Sequence, residues 1–208
     1  MTVPILYAAA PDSVPVIRCS PPSWAAQIAL LEEGVAHELR WLRFDRGDHR
    51  SESMLRINPA GTVPVLVDGD EVVTDTVALL EHIVRRSPEE RLAAKAHSAG
   101  SGRFTTAAAV KQAGMSAFRR LMTGDASANA WTPLQAPLDR WASALDATVE
   151  EFDIADVLVF VYVVTAQSLG LPTSHWPELE AFVARTIARP AVRTSWPSTW
   201  PPPSAPDT

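Results

Sequence analysis

The hydrophobic rhythm of the chain changes near residue 87. Up to Arg86 the apolar runs are short, β-branched and broken by turn signals; beyond Pro88 they lengthen, become Ala-rich and recur at helical spacing. The change predicts two domains, residues 1–86 and 87–208, joined at Ser87 to Glu90. In the first domain Val14 to Cys19 reads as a strand, with Val3 to Ala8 competing for that place. Ser20, followed by Pro21 and Pro22, is a helix N-cap with proline at N1, and the helix carries Trp24, Ile28 and Leu31 as far as Gly34. Leu39 to Phe44 reads as a second strand. Asn58, Pro59, Ala60 and Gly61 form a turn that leads into a strand from Val63 to Val67. Asp68 and Gly69 turn the chain back through Val72 and Val73, and Asp75 then caps a helix reaching Ile83. The order β, α, β, a looser segment, β, β, α predicts a mixed sheet with helices on its faces.

In the second domain Leu134, Leu138, Trp141, Leu145 and Val149 form one apolar stripe, and Arg103 to Met122 reads as a longer helix, interrupted upstream by Gly100 and Gly102. Asp153 and Asp156 occupy N-cap and N3 positions, with Phe152 and Val157 placed as a hydrophobic staple for the apolar helix that follows. Pro177 to Ala188 makes a last helix ended by Pro190, and the proline-rich tail from Pro197 reads as extended or disordered. Trp24, Trp131, Trp141, Trp176, Trp196 and Trp200 read as core or interface residues.

Composition narrows the function. The 208 residues are 47% hydrophobic and 20% charged, which suits a folded chain that needs neither disulfide nor structural metal. The single cysteine, Cys19, agrees with a reducing compartment. A net charge of −6 with no basic cluster argues against nucleic acid and anionic membrane as partners. No basic leader precedes an apolar run, and Val157 to Ala166 is far too short to span a bilayer, so a cytoplasmic protein is expected. The five histidines show no metal-ligand spacing, and no phosphate-binding or nucleophile-elbow motif occurs, so no metal is expected.

Ser20-Pro21-Pro22-Ser23 opening a helix that reads IALLEEG, then DHRSESMLRINPAGTVPVLVDGD, then VVTDTVALLEHI, together resemble the N-terminal domain of cytosolic glutathione transferases, nearest to serine-type phi, theta and zeta patterns. The similarity covers most of residues 14–86; in the second half it rests on FDIADVLVF and the ARPAV near Arg189. The resemblance implies a thioredoxin-like α/β domain packed on an all-α helical domain, a homodimer, and glutathione as co-substrate with a small electrophile as second substrate. It implies that Pro64 is cis and that Val63 pairs with the cysteinyl part of glutathione. It places Asp75 and Thr76 at the γ-glutamyl end and His49 and Arg50 at the glycine carboxylate, with Thr62 a minor candidate.

Each piece also has a plain reading. Val63-Pro64 alone is an edge strand with a proline. A cis peptide there would instead turn the Val63 N–H and C=O outward, where a peptide can pair with them. Asp75 alone is an ordinary N-cap, although a helix N-terminus with a neighbouring hydroxyl also suits a carboxylate. His49 and Arg50 alone are solvated loop charges, yet a cation or donor is what an anionic end group needs.

Ser20 is the catalytic candidate. A thiol of pKa ~8.5 is only about 3% ionised at pH 7. Lowering that value by two units takes roughly 2.7 kcal/mol. One hydrogen bond to the thiolate, about 1.5–3 kcal/mol, plus a helix N-terminus, about 0.3–1 kcal/mol, is just sufficient. Pro21 and Pro22 remove two amide donors from that helix end, so activation leans on the Ser20 hydroxyl, with Ser23 in support. Cys19 could act as a nucleophile but stands one position early; Tyr7 would matter only if Val3 to Ala8 were the first strand, and then stands far from the helix. The junction between Leu145 and Asp153 is short, which puts the second substrate in more doubt than the first. Two readings follow: an enzyme of conjugation or isomerisation, general or dedicated to one biosynthetic step, and a non-catalytic binding module on the same fold.

Overall fold

The computed structural model describes residues 2–87, 91–92, 102–124, 128–145 and 152–203. Four strands make one mixed sheet in the order β2-β1-β3-β4. Strand β1 (Ile5–Ala9) runs parallel to β2 (Glu38–Leu42) and antiparallel to β3 (Val65–Asp68), which pairs antiparallel with β4 (Glu71–Val73). Parallel neighbours need a crossover, and helix α1 (Pro21–Glu32) supplies it.

The first strand is therefore the Val3 to Ala8 candidate, extended to Ala9, and not Val14 to Cys19. The latter run is rich in β-branched residues, but Val16 and Arg18 have φ of 63° and 49°, outside the extended region, and Pro15 has no N–H for a ladder. Residues 10–20 form a tightly turned connection instead, in which the Ile17 N–H donates back to the Pro15 carbonyl at 2.6 Å.

Helix α1 is buried almost all round, from Ser23 to Leu30, because it is sandwiched between the sheet and the helical half, packing on α3 (Thr76–Arg86), α6 (Ile154–Ser168) and α8 (Pro190–Thr194). The looser segment holds the short helix α2 (Glu52–Ile57), whose Met54 packs with Leu42 and Val65 on the opposite sheet face. Asp68 pairs with Glu71 around a two-residue loop, and Gly69 at φ 61° supplies the positive φ that this tight hairpin requires.

The remaining helices are α4 (Gly102–Met122), α5 (Thr132–Ser143) and α7 (Pro177–Ile187). Helix α6 is the axis of this half, buried without a break from Ile154 to Ala166, as a helix apolar on every face must be. It approaches α4 so closely that a Cβ on Gly114 would lie 2.5 Å from the ring of Tyr162. The expected stripe is present as buried Leu134, Leu138 and Trp141; Leu145 follows the helix end. Val149, Gly100 and most of the junction before Asp153 lie outside the described residues. Pro190 does end a helix, but it also opens α8, where proline at N1 loses no hydrogen bond.

Two contacts tie the halves together. Arg189 makes a bidentate pair with Glu32 at 2.7 and 2.8 Å while its guanidinium lies 4.1 Å over the Phe152 ring. The Glu33 carboxylate accepts from the N–H groups of Arg91 and Leu92. The tail also corrects its expectation, since residues 195–203 pack back onto α1. Trp196 and Trp200 each meet Trp24 edge-on at 5.5 Å, the Trp24 indole donates to Ser195 Oγ, and Thr199 Oγ1 donates to the Arg18 carbonyl. Among the described residues no helix is long and apolar enough to cross a membrane.

Candidate functional site

The sheet register gathers the expected residues at one end. Ala9, the last residue of β1, donates its N–H to Ser23 Oγ at 3.2 Å, which fixes the first turn of α1 against that strand end. Tyr7 pairs with Val65, so the same antiparallel register carried past its last pair sets Ala9 level with Val63. Leu66 pairs with Val73, and that register carried on sets Val63 and Pro64 alongside Thr76 and Asp75. Ser20, Val63, Pro64, Asp75 and Thr76 thus lie at one end of the sheet, where β1 and β4 finish and β3 starts. The Val63–Pro64 bond is cis, and β3 begins only at Val65, which leaves Val63 ahead of the ladder.

Ser20 is the N-cap residue of α1, yet its side chain makes no cap hydrogen bond. With Pro21 and Pro22 lacking N–H groups and the Trp24 N–H already given to the Ser20 carbonyl, the Ser20 hydroxyl is the outward donor at this helix end. Ser23 is not its equal. Its side chain is 1% exposed and turned in to accept from Ala9.

Cys19 is 2% exposed, and burial drives its thiol pKa far above the ordinary value, against the smaller effect of the Ser20 N–H. A thiol held protonated is a poor nucleophile, so the cysteine alternative is disfavoured. Alkylation by iodoacetamide at pH 8 should be slow for the folded protein and fast once urea unfolds it; rapid stoichiometric labelling of the native chain would reinstate Cys19. Tyr7 does lie on the first strand, but its ring packs against the Leu42, Met54 and Val65 cluster, and its hydroxyl accepts from Arg40 at 3.0 Å.

At the start of α3 the amides expected to be free are taken. Asp75 Oδ1 accepts from the N–H groups of Val77 and Ala78 at 2.9 and 3.1 Å, while Oδ2 faces Lys111 Nζ of α4 at 3.5 Å. Partial burial raises the Asp75 pKa, but the Ala78 N–H, Lys111 and the Val77 N–H outweigh it and leave the carboxyl more acidic than usual. What this end offers a ligand is a fixed carboxylate, the Thr76 backbone and hydroxyl, and the Lys111 ammonium. Sequence reasoning missed Lys111, because nothing local links it to a residue on the other half of the chain.

His49 and Arg50 sit in a 3₁₀ turn packed on the turn before Val63: a Cβ on Gly61 would lie 3.3 Å from Arg50 Cγ and 3.5 Å from the His49 carbonyl oxygen. The two differ in kind. His49 stacks on Phe44 at 4.0 Å, and burial, then the Arg50 charge, lowers its pKa, which favours the neutral imidazole. Arg50 is exposed and is the cation of the pair. The Thr62 carbonyl and hydroxyl oxygens both accept from Asn58 Nδ2, at 2.8 and 3.1 Å, which commits Thr62 to shaping the turn.

Comparison with known proteins bears on the family and the fold. Residues 15–91 match the family described as Glutathione S-transferase, N-terminal domain. Glutathione S-transferase A of Pleuronectes platessa is 26% identical over 212 residues, covering 87% of this chain and 89% of that protein. Glutathione S-transferase Z1 of Arabidopsis thaliana is 38% identical over 66 residues, 32% of this chain and 30% of the relative. Among solved structures, a glutathione S-transferase from the Antarctic clam Laternula elliptica superposes with a TM-score of 0.75 at 21% identity, covering 94% of this chain and 93% of that one. A glutathione transferase homologue from Sulfitobacter with bound glutathione gives 0.72 at 21% identity, over 93% and 97%.

Proposed function

Since the chain belongs to the cytosolic glutathione S-transferase family, we propose that it binds glutathione at the sheet end that carries Ser20, Val63 and Thr76 and joins it through its sulfur to a small electrophile. The observation that carries this reading is the shared register of β1, β3 and β4. It supports the reading by bringing to one end of the sheet Val63, which lies ahead of the ladder, the Ser20 helix start, whose hydroxyl makes no cap bond, and the Asp75 carboxylate.

In this reading the cysteinyl backbone pairs with Val63 beside Pro64. The γ-glutamyl ammonium meets Asp75 Oδ2, its carboxylate meets Thr76 and Lys111, and the glycine carboxylate meets Arg50, with His49 positioning the turn beneath it. Ser20 donates to the sulfur, so the thiol proton leaves to water and the thiolate stays. In a substitution the thiolate forms the new carbon–sulfur bond while the halide leaves with the bonding pair; isomerisation would use the same thiolate and return it. The same reading takes the protein to be a cytoplasmic homodimer, with exposed Met115, Met122 and Val72 among the apolar surface a second copy would cover.

Retention on immobilised glutathione with elution by the free tripeptide is the direct test. Arg50→Ala should weaken retention roughly 10- to 100-fold, the loss of one hydrogen bond to a charged group worth about 1.5–3 kcal/mol. No retention of the native chain would end the glutathione reading. The two prolines at the start of α1 favour one alternative, a module on the same fold that binds without turnover, for which retention would persist with no conversion of an aryl halide.

A further inference from the structure

Tyr162, at the middle of α6, is fully buried, and its hydroxyl has no hydrogen-bond partner among the described residues. The space for its ring is made by a glycine. A Cβ on Gly114 would lie 2.5 Å from Tyr162 Cδ1, and one turn further along α4 the Phe118 ring stacks on the tyrosine at 6.0 Å with 9° between the planes. Glycine weakens a helix interior, so its use here goes with a close approach that no larger residue permits. A phenylalanine would pack this seat equally well without burying a polar atom, which makes the hydroxyl the feature to account for.

The same face of α4 leads to the candidate site. Lys111, Gly114 and Phe118 are spaced by three and four residues and form one stripe; the tyrosine ring covers the last two, and the first reaches Asp75 Oδ2 at 3.5 Å. Burial, then the Asp75 charge, drives the phenol pKa far above its ordinary value, so the hydroxyl lies within the field of that carboxylate and keeps its proton. Asp75 commits Oδ1 to two N–H groups of its own helix and leaves Oδ2 for groups outside it.

We propose that Tyr162 is a positioning residue of the glutathione site: its hydroxyl directs its proton at Asp75 from the interior and, together with Lys111, holds that carboxylate turned outward for a ligand ammonium group. This rests on the glutathione reading. Tyr162 touches neither the peptide nor its sulfur; it acts through Asp75. In the dry interior a hydroxyl dipole aimed at a carboxylate steadies the charge more than it would in water, and the coupling runs from α6, in the helical half, to the start of α3, in the other.

The test is calorimetry on the full chain at pH 7 with glutathione and with its deamino analogue N-glutaryl-cysteinylglycine, which keeps every group except the ammonium. Tyr162→Phe retains the ring on Gly114 and Phe118. It should weaken glutathione binding roughly threefold to tenfold, the range of one hydrogen bond, and leave the affinity for the analogue unchanged. In turnover, KM for glutathione should rise by the same factor while kcat and the pKa of the bound thiol stay where they were. On an Asp75→Asn background, which keeps the capping oxygen, Tyr162→Phe should have no further effect. Equal losses for the two tripeptides, an unchanged glutathione affinity, or a loss that persists on the Asp75→Asn background would each overturn the proposal. Failure of the glutathione reading looks different. A native chain that binds neither tripeptide ends that reading and the role of Tyr162 with it, whereas a native chain that binds glutathione and is indifferent to Tyr162→Phe removes this inference alone.

Discussion

Ser20→Ala should lower kcat/KM for an aryl halide at pH 6.5 by roughly 10- to 100-fold, the equivalent of about 1.5–3 kcal/mol of lost hydrogen bonding to the thiolate. The sulfur at this site has few other donors. The first two residues of α1 are prolines, the Trp24 N–H is bonded to the Ser20 carbonyl, and Ser23 is turned in towards Ala9. The pKa of bound glutathione, read from thiolate absorbance, should rise by about 1–2 units in the variant, so the loss should shrink as pH increases through 8. Glutathione affinity should change little, because the proposed reading puts the peptide's remaining contacts at Val63, Asp75, Thr76, Lys111 and Arg50. Ser20→Thr should recover part of the rate. Turnover unchanged by Ser20→Ala, or a lost rate with an unshifted thiol pKa, would show that another group activates the sulfur.

The largest stability effect is expected at the start of the buried axis. Asp153→Ala should destabilise the protein by about 3 kcal/mol and lower Tm by roughly 6–12 °C. Asp153 Oδ1 accepts from the N–H groups of Ala155 and Asp156 at 2.8 and 3.1 Å, and Asp156 Oδ2 accepts from the Asp153 N–H at 2.9 Å. Both side chains are about 95% buried, so the released amides would have no water to turn to. Removing a solvated cap usually costs about 0.5–2 kcal/mol; here two donors are orphaned inside the core. Asp153→Asn keeps the accepting oxygen and should stay within about 1 kcal/mol of the native protein. A loss below 1 kcal/mol in Asp153→Ala would mean that the helix start rearranges to find other partners.

A pH dependence accompanies this cap. Burial, then the Asp153 carboxylate, raises the Asp156 pKa from 3.8 to about 7, against the pull of Arg103 at 2.6 Å. A folded-state value above the unfolded one means that folding favours the protonated form. That contribution is complete below about 3.8 and is lost as pH rises towards 7. Asp153→Asn removes the neighbouring charge and should flatten this part of the stability profile.

The features legible in the sequence are those decided by neighbours in the chain. The Asp68-Gly69 hairpin, the Asp75 cap, the Asp153/Asp156 box and the Asn58 to Gly61 turn each depend on residues within a few positions of one another, and each is present. The first strand was harder to place, because residues 5–9 and 14–19 carry similar apolar content. What separates them is partner availability, since a strand containing Pro15 could not have paired on both sides as β1 does. His49 reads as a loop charge until Phe44 is brought beneath it. Lys111 beside Asp75, and Tyr162 seated on Gly114, are juxtapositions between distant parts of the chain that no local pattern encodes.

The tail that closes over Trp24 is made after both α1 and α6, the helices it joins. Until residue 200 has left the ribosome, α1 can be laid on the sheet and against α6, yet its Trp24 face stays wet and the carbonyl of Arg18 lacks its Thr199 partner. The connection ahead of α1, with two residues at positive φ, is then fastened from one side only. A chain clipped ahead of Ser195 would therefore hold a largely completed core with the Trp24 face of α1 left open.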